Sequence, residues 1–390
     1  MICWPPGLDA ERFLAEYWQR KPLYLPAALV PWQCPLSPEE LAGLACEPEV
    51  ESRLVSGDEP SGWTLRHGPF EESDFTTAAE RGWTVLVQDV EKHLPQLAAM
   101  LERFAFLPPW RIDDLMASFA APGGSVGPHV DDYDVFLVQG LGRRRWLLDP
   151  QPADIAWQEE ARLRVLRHFS PTETIETAPG DVLYLPPGVA HHGIGDEPSM
   201  TLSIGFRAPS AGELLAAVGV LLDQRAPLLR YTDPEIGLSE RDGGRIGAAA
   251  KDRAARLLHQ ALPLESRIVD EALGRVVTGN KPWLLSARSV EALDADELVD
   301  RLDRGDRLRP APTARFAWTH SVDDVLIFAD GASWGLGAAG EPLARALCGA
   351  GPLGPELLSV DGVTADRAPD LLTALLEQGS LEWIEDDFRG

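Results

Sequence analysis

Gly127-Pro128-His129-Val130-Asp131-Asp132-Tyr133-Asp134 carries a metal-binding pattern, together with Gly142-Arg143-Arg144-Arg145-Trp146 and Pro186-Pro187-Gly188-Val189-Ala190-His191-His192. In an extended strand, residues two apart project to one face. His129 and Asp131 can therefore point at one ion, and Asp132 then points away. A third ligand has to come from elsewhere, and His191 or His192 offers it. Only one of these two neighbours faces inward in an extended chain. Two histidines and one carboxylate on one face of a metal form the facial triad of non-haem Fe(II) oxygenases, which leaves positions open for a chelating co-substrate and dioxygen.

A His-x-Asp pair alone is a weak signal, because a strand-end histidine beside a solvated acid has the same pattern. Three features strengthen it. The pair follows a Gly/Pro-rich approach, Pro122 to Pro128, suited to the mouth of a barrel. The later histidines follow a strand and a Pro-Pro-Gly turn. Between them, Arg144 and Trp146 share a strand face. An inward arginine in an apolar barrel needs an anion, since an unpaired buried charge is costly. The dicarboxylate 2-oxoglutarate supplies one through a bidentate pair. Arg143 and Arg145 then face outward.

Around these motifs the chain alternates short strands with Gly/Pro turns. Strands are expected at Leu23 to Leu25, Ser52 to Val55, Trp63 to Arg66, Thr84 to Gln88, Val135 to Gln139, Arg145 to Leu148, Glu173 to Thr177, Val182 to Leu185 and Met200 to Phe206. Helical spacing covers Asp9 to Arg20, Pro38 to Ala45, and Val90 to Phe104 with a break near Pro95. Many short strands between turns favour a double-sheet jelly roll, whose mouth is a natural small-molecule pocket. Composition shifts at Ala208-Pro209-Ser210. A helical connector follows from Glu213 to Leu273, interrupted at Gly243-Gly244 and Gly247, and its apolar stripes suit a dimer face or ordinary core packing. Helices at Val290 to Asp303, Glu341 to Leu347 and Ala368 to Gln378, with strands at Arg315 to His320, Val325 to Ala329 and Leu381 to Ile384, suggest a winged-helix-like unit. The expected class is α+β, in three parts: 1–209, 210–279 and 280–390.

The formal net charge is −26 and the pI about 4.6. Such a surface repels nucleic-acid phosphates and attracts basic partners, or else reflects a saline cytoplasm. Acidic residues outnumber basic ones in the last part too, against the basic footprint of a nucleic-acid reader. No apolar run approaches the ~20 residues of a membrane span. The N-terminus lacks the pattern of a secretory signal. Cys3, Cys34, Cys46 and Cys348 are scattered and read as reduced cytosolic thiols.

The segments Phe13 through Leu23, Trp110 through Phe119, Gly127 through Trp146, Asp181 through Gly193 and Ser203 through Pro209 resemble the bacterial JmjC-type ribosomal oxygenases, over roughly the first 210 residues. The remainder is similar in layout only. The resemblance implies a JmjC double-stranded β-helix, a helical dimerisation segment and a winged-helix domain. It implies a cytoplasmic, homodimeric protein hydroxylase that uses Fe(II), 2-oxoglutarate and O2 and acts on the β-carbon of an arginine in the sixteenth large-subunit ribosomal protein. By position, the metal ligands and catalytic residues would be His129, Asp131 and His191, since the family's histidine directly follows the residue at Ala190. Arg144 would grip the distal carboxylate of 2-oxoglutarate, with Ser118 and Ser203 as helpers. A basic ribosomal protein fits the acidic surface, and Asp113, Asp114 and Asp134 are candidates for its guanidinium. The rivals are the same chemistry on a histidine or another target, a non-catalytic metal-containing jelly roll that recruits basic proteins, and a zinc hydrolase, which accepts the same ligand types.

Overall fold

The computed structural model describes residues 2–384 except 59–61, 77–81, 159–162, 226–229, 234–245, 262–265, 287, 289, 350 and 360–366. By contacts the chain divides into two units, Met1–Ala208 with Lys281–Arg288, and Pro209–Asn280 with Ser289–Gly390.

The first unit opens with α1 (Ala10–Glu16), capped by Asp9, whose carboxylate accepts from the Arg12 N–H at 2.8 Å. Next come β1 (Leu23–Leu25) and α2 (Pro38–Ala45). Ser37 and Glu40 form a reciprocal capping box at the start of α2. They are followed by β2 (Ser52–Asp58), β3 (Gly62–His67), α3 (Glu72–Thr76), β4 (Trp83–Val87), α4 (Pro95–Leu101) and β5 (Ile112–Ala120). Over Val90 to Phe104 the chain breaks near Pro95 as expected: α4 begins there and is flanked by two 3₁₀ turns. The metal-motif strands are β6 (His129–Val130), β7 (Val135–Leu141), β8 (Arg144–Asp149), β9 (Glu173–Thr177), β10 (Val182–Leu185), β11 (Ala190–Gly195) and β12 (Ser199–Phe206).

These strands form two antiparallel sheets. The larger runs β1-β10-β7-β12-β5-β4-β2-β3, and the smaller β6-β11-β8-β9. The central strands β7, β10 and β12 are buried on both faces; β7 and β10 read as nearly unbroken apolar runs, whereas β12 alternates apolar with small polar residues. Period-two alternation assigns the faces. Phe136, Val138, Tyr184, Leu202, Ile204 and Phe206 pack under α1 and the other N-terminal helices. Val135, Leu137, Leu183 and Leu185 pack with Trp146 and Leu148 of the smaller sheet. Phe13 is the fully buried hub of the outer core, with its ring 5.0 Å from Tyr184 and 5.6 Å from Phe136. The inner face therefore lines a jelly-roll interior, while the outer face carries most of the apolar burial.

In the second unit, α5 (Ala211–Arg225), α6 (Ala248–Ala261) and α7 (Ser266–Thr278) replace the single helical connector. Gly243, Gly244 and Leu262 lie outside the described residues. Between α7 and the remainder, α8 (Pro282–Ser286) clusters with the first unit. Val218 and Leu221 of α5 pack on Ile268 and Ala272 of α7. The rest comprises α9 (Ala295–Asp303), β13 (Leu308–Pro310), β14 (Phe316–Ser321), β15 (Asp324–Ala329), β16 (Ala332–Gly335), α10 (Glu341–Leu347), α11 (Arg367–Glu377) and β17 (Leu381–Trp383). Leu298, Leu343, Leu372, Leu375 and Ile327 close a second core between these helices and the β14-β15-β16 sheet. α9 starts five residues later than the spacing predicts, where Asp294 supplies the cap by accepting from the Glu297 N–H.

Candidate metal centre and its cavity

β6 and β11 pair so that His129 and His191 lie directly opposite one another. Opposed residues of an antiparallel pair share a face with Cβ atoms roughly 5 Å apart. Asp131 follows His129 by two residues and returns to that face. The ligand atoms of His129, Asp131 and His191 all lie within 4.8 Å of one another, the only such cluster among the described residues. His191 Nε2 is 3.7 Å from Asp131 Oδ2.

Both imidazoles are oriented by the backbone. His129 Nδ1 lies 2.9 Å from the Gly127 carbonyl, and His191 Nδ1 lies 3.0 Å from the Val189 carbonyl. With Nδ1–H donating, each Nε2 carries its lone pair toward the cluster, as ligation requires. Gly127 reaches this geometry at φ +82°, a value side-chain-bearing residues rarely adopt. Burial, then the neighbouring His129, pushes His191 down to about 4, so it is neutral near pH 7. His192 faces the other way, against Trp63 and Phe169. Asp132 is exposed.

The cluster opens into a cavity of about 370 Å³, lined from both sheets by Ser118, Arg144, Trp146, Ser203, Asp114 and Tyr133 among others. Arg144 faces inward and is 6% exposed, Arg143 is exposed, and Arg145 pairs with Asp196 at the surface. Arg144 Nη1 donates to Ser118 Oγ at 3.1 Å and Nη2 to the Ser199 carbonyl at 3.5 Å, while Nε has no partner. No carboxylate among the described residues pairs with it, and burial pushes its pKa down to about 10. A buried guanidinium without a counter-charge is a receptor for an anion. Along β8 it lies four residues from Leu148, which pairs with His191, roughly 13 Å along the strand. The arginine's own reach shortens that gap to the scale of a five-carbon diacid. Trp146 lies between, and a Cβ at Gly193 would lie 2.6 Å from its ring, so only glycine lets β11 pass there.

The donor set suits Fe(II): two imidazoles, one carboxylate and an adjacent polar cavity. Ser118 touches Arg144 directly, whereas Ser203 lines the cavity without a hydrogen bond to that guanidinium. Of the three acids suggested for a substrate guanidinium, only Asp114 lines the cavity. Asp134 is fully buried and accepts from Tyr184 Oη at 2.6 Å and Gln19 Nε2 at 2.9 Å, which holds α1's C-terminal turn on the sheet. Asp113 pairs with Arg207 at 3.0 Å. Sequence reasoning missed Arg53, Gln88 and Lys281 near Asp114. Lys281, one of four lysines in the chain, was the one with a visible signal.

Two family models match the chain, a JmjC domain over residues 99–214 and a ROXA-like winged helix over residues 256–382. The chain is 43% identical over 228 residues to the "Ribosomal protein uL16 3-hydroxylase" of Escherichia coli, covering 57% of this chain and 60% of that protein. It is 31% identical to a "Probable ribosomal oxygenase" of Haemophilus influenzae, covering 77% of this chain and 74% of the other. Its fold matches the crystal structure of Escherichia coli YcfD, a ribosomal oxygenase, in complex with cobalt and 2-oxoglutarate. That match has a TM-score of 0.78 and 32% identity, covering 97% of this chain and 99% of that one.

Proposed function

The chain belongs to the JmjC-domain ribosomal oxygenases, and we propose from that premise that it is an Fe(II)- and 2-oxoglutarate-dependent hydroxylase of ribosomal protein uL16, acting on an arginine β-carbon. The observation that carries this reading is one cavity holding both His129-Asp131-His191 and a buried arginine without a carboxylate partner. A zinc hydrolase or a purely structural metal site gives that arginine no task.

Fe(II), with 2-oxoglutarate and dioxygen as co-substrates, supplies the oxidising power for C–H hydroxylation, and the co-substrate leaves as succinate and carbon dioxide. The chain's own residues do the positioning. His129 and His191 would hold the metal through Nε2, and Asp131 through a carboxylate oxygen. Arg144, steadied by Ser118, takes the distal carboxylate of the co-substrate; Ser203 lines the same wall. Asp114 accepts the substrate guanidinium. Arg144, Ser118 and His191 are themselves buried, which strengthens their charge contacts.

The chain acts in the cytoplasm as a homodimer and makes no direct nucleic-acid contact. The dimer reading is supported by Leu215, Val220, Leu258, Val269 and Leu273, apolar side chains exposed on α5, α6 and α7. Replacing Leu215 and Leu258 together by Glu yields a monomer in light scattering; an intact dimer refutes that reading.

The test of function is anaerobic loading with Fe(II) and 2-oxoglutarate, then aerobic incubation with purified large-subunit ribosomal proteins and peptide mass spectrometry. One arginine of uL16 gains one oxygen, about 16 Da, only when both cofactors are present. Succinate formation without any ribosomal protein gaining mass refutes the substrate. No turnover from the iron-loaded protein refutes the enzyme.

A further inference from the structure

Asp114 divides its two oxygens. Oδ2 accepts from the Gln88 side-chain amide and from Lys281 Nζ, the latter at 3.0 Å. Oδ1 has no hydrogen bond among the described groups and lies beside Gly205 and the Tyr133 ring. A Cβ on Gly205 would be 3.1 Å from Oδ1 and 3.8 Å from that ring. All three residues line the cavity.

Lys281 reaches Asp114 from far along the sequence. It lies beyond the family's JmjC region (residues 99–214) and just before α8. Its ammonium also donates to Asp89 Oδ1 at 2.9 Å and lies 3.7 Å from Asp113 Oδ2. Trp283 Nε1 donates to the other Asp89 oxygen at 3.2 Å, pinning the same stretch. On the far side, Arg53 Nη2 donates to Gln88 Oε1 at 2.7 Å, which fixes the orientation of that amide. Gln88 and Arg53 line the cavity beside Asp114, and the bonds from Gln88 and Lys281 both go to Oδ2.

We propose that Lys281 is a positioning residue for substrate recognition: by holding Asp114 Oδ2 it fixes the carboxylate and turns Oδ1 toward a cationic substrate side chain. This rests on the arginyl-substrate reading above. Burial raises the Asp114 pKa, Lys281 opposes that shift, and Asp113 and Asp89 add to it. Without the ammonium, the carboxylate loses the bond that orients it and is pushed further toward its neutral form by burial, Asp113 and Asp89, so the guanidinium meets a poorer acceptor. The substrate wall of this oxygenase is therefore incomplete in its JmjC region alone.

The experiment uses the full chain with Fe(II), 2-oxoglutarate and a uL16 peptide carrying the target arginine. Lys281→Met, Asp114→Asn and the double variant are compared for peptide KM, kcat and 2-oxoglutarate KM. Lys281→Met raises peptide KM about tenfold or more, the scale expected when one partner of a buried pair is removed, and leaves the 2-oxoglutarate KM unchanged. In the Asp114→Asn background it adds nothing, because its effect runs through Asp114. Wild-type peptide KM in Lys281→Met overturns the proposal. So does a loss that adds in full to that of Asp114→Asn, or an equal rise in both KM values. Should Lys281→Met not fold, the double variant, which leaves no ionised carboxylate at position 114, decides by matching Asp114→Asn or failing to. Wild-type enzyme that turns over 2-oxoglutarate without oxidising arginine sinks the arginyl reading itself, a distinguishable result.

Discussion

Replacing Arg144 by Met separates a binding residue from a structural one, because the two roles predict opposite signs for stability. In the protein without 2-oxoglutarate, the guanidinium is 6% exposed and faces no described carboxylate. Its pKa is pushed down to about 10 by burial, so the charged form is disfavoured in the fold. For a base with a lowered folded pKa, the cost is present in full below pH 10 and fades as pH rises toward the unfolded value. At pH 7 it is roughly 3 kcal/mol, offset in part by the bond to Ser118 at 3.1 Å. Arg144→Met retains most of the aliphatic volume and removes the charge. Without co-substrate, the variant is therefore as stable as the parent or more so. With co-substrate the order reverses. A buried guanidinium meeting a carboxylate contributes about 3 kcal/mol, so its loss weakens 2-oxoglutarate binding roughly a hundredfold. At a 2-oxoglutarate concentration of about 100 Kd, the parent gains about 2.7 kcal/mol and the variant less than 1 kcal/mol. Urea denaturation with and without 2-oxoglutarate, with manganese replacing iron to stop turnover, measures all four states. A variant that loses more than about 2 kcal/mol without co-substrate yet keeps the full response to it makes Arg144 a structural residue.

Other outcomes follow from the same geometry. His129→Ala or Asp131→Ala abolishes hydroxylation and leaves the circular dichroism spectrum unchanged; wild-type activity in either removes the ligand assignment. Glu91 is buried under β5, where it accepts from the Leu115 N–H at 2.9 Å, and burial raises its pKa to about 7. An acid raised this way favours the fold below its unfolded pKa near 4.5 and loses that contribution as pH rises through 7. The Glu91→Gln variant should therefore overtake the parent between those values, by roughly 3 kcal/mol at pH 8; parallel urea-stability curves across that range would contradict it. Phe13→Ala, at the hub of the outer core, costs about 3–5 kcal/mol by urea denaturation. A loss under about 1 kcal/mol would mean that α1 is not part of the cooperative fold.

What the sequence makes legible here is what repeats along the backbone, and what it hides is what meets across it. Period-two alternation paired Arg144 with Trp146 and His129 with Asp131, each pair on one strand face, because that geometry is local to a strand. The choice between His191 and His192 was not local. It depends on the register of β11 against β6, which sets His191 opposite His129 and turns His192 toward Trp63. Asp134 reads in sequence like an active-site acid beside the metal motif, yet its oxygens are taken by Tyr184 and Gln19, residues far away along the chain. Asp114 and Lys281 show the converse. Asp114 falls in a family-like segment, but nothing there points to Lys281, 167 positions away. A lysine that precedes a short helix carries no local sign that its ammonium lies against an active-site wall. Its scarcity was the available hint: in a chain with four lysines, a half-buried one held by carboxylates occupies a site where a compact, point-like ammonium can lie between them, a task the broader planar fork of arginine suits less well.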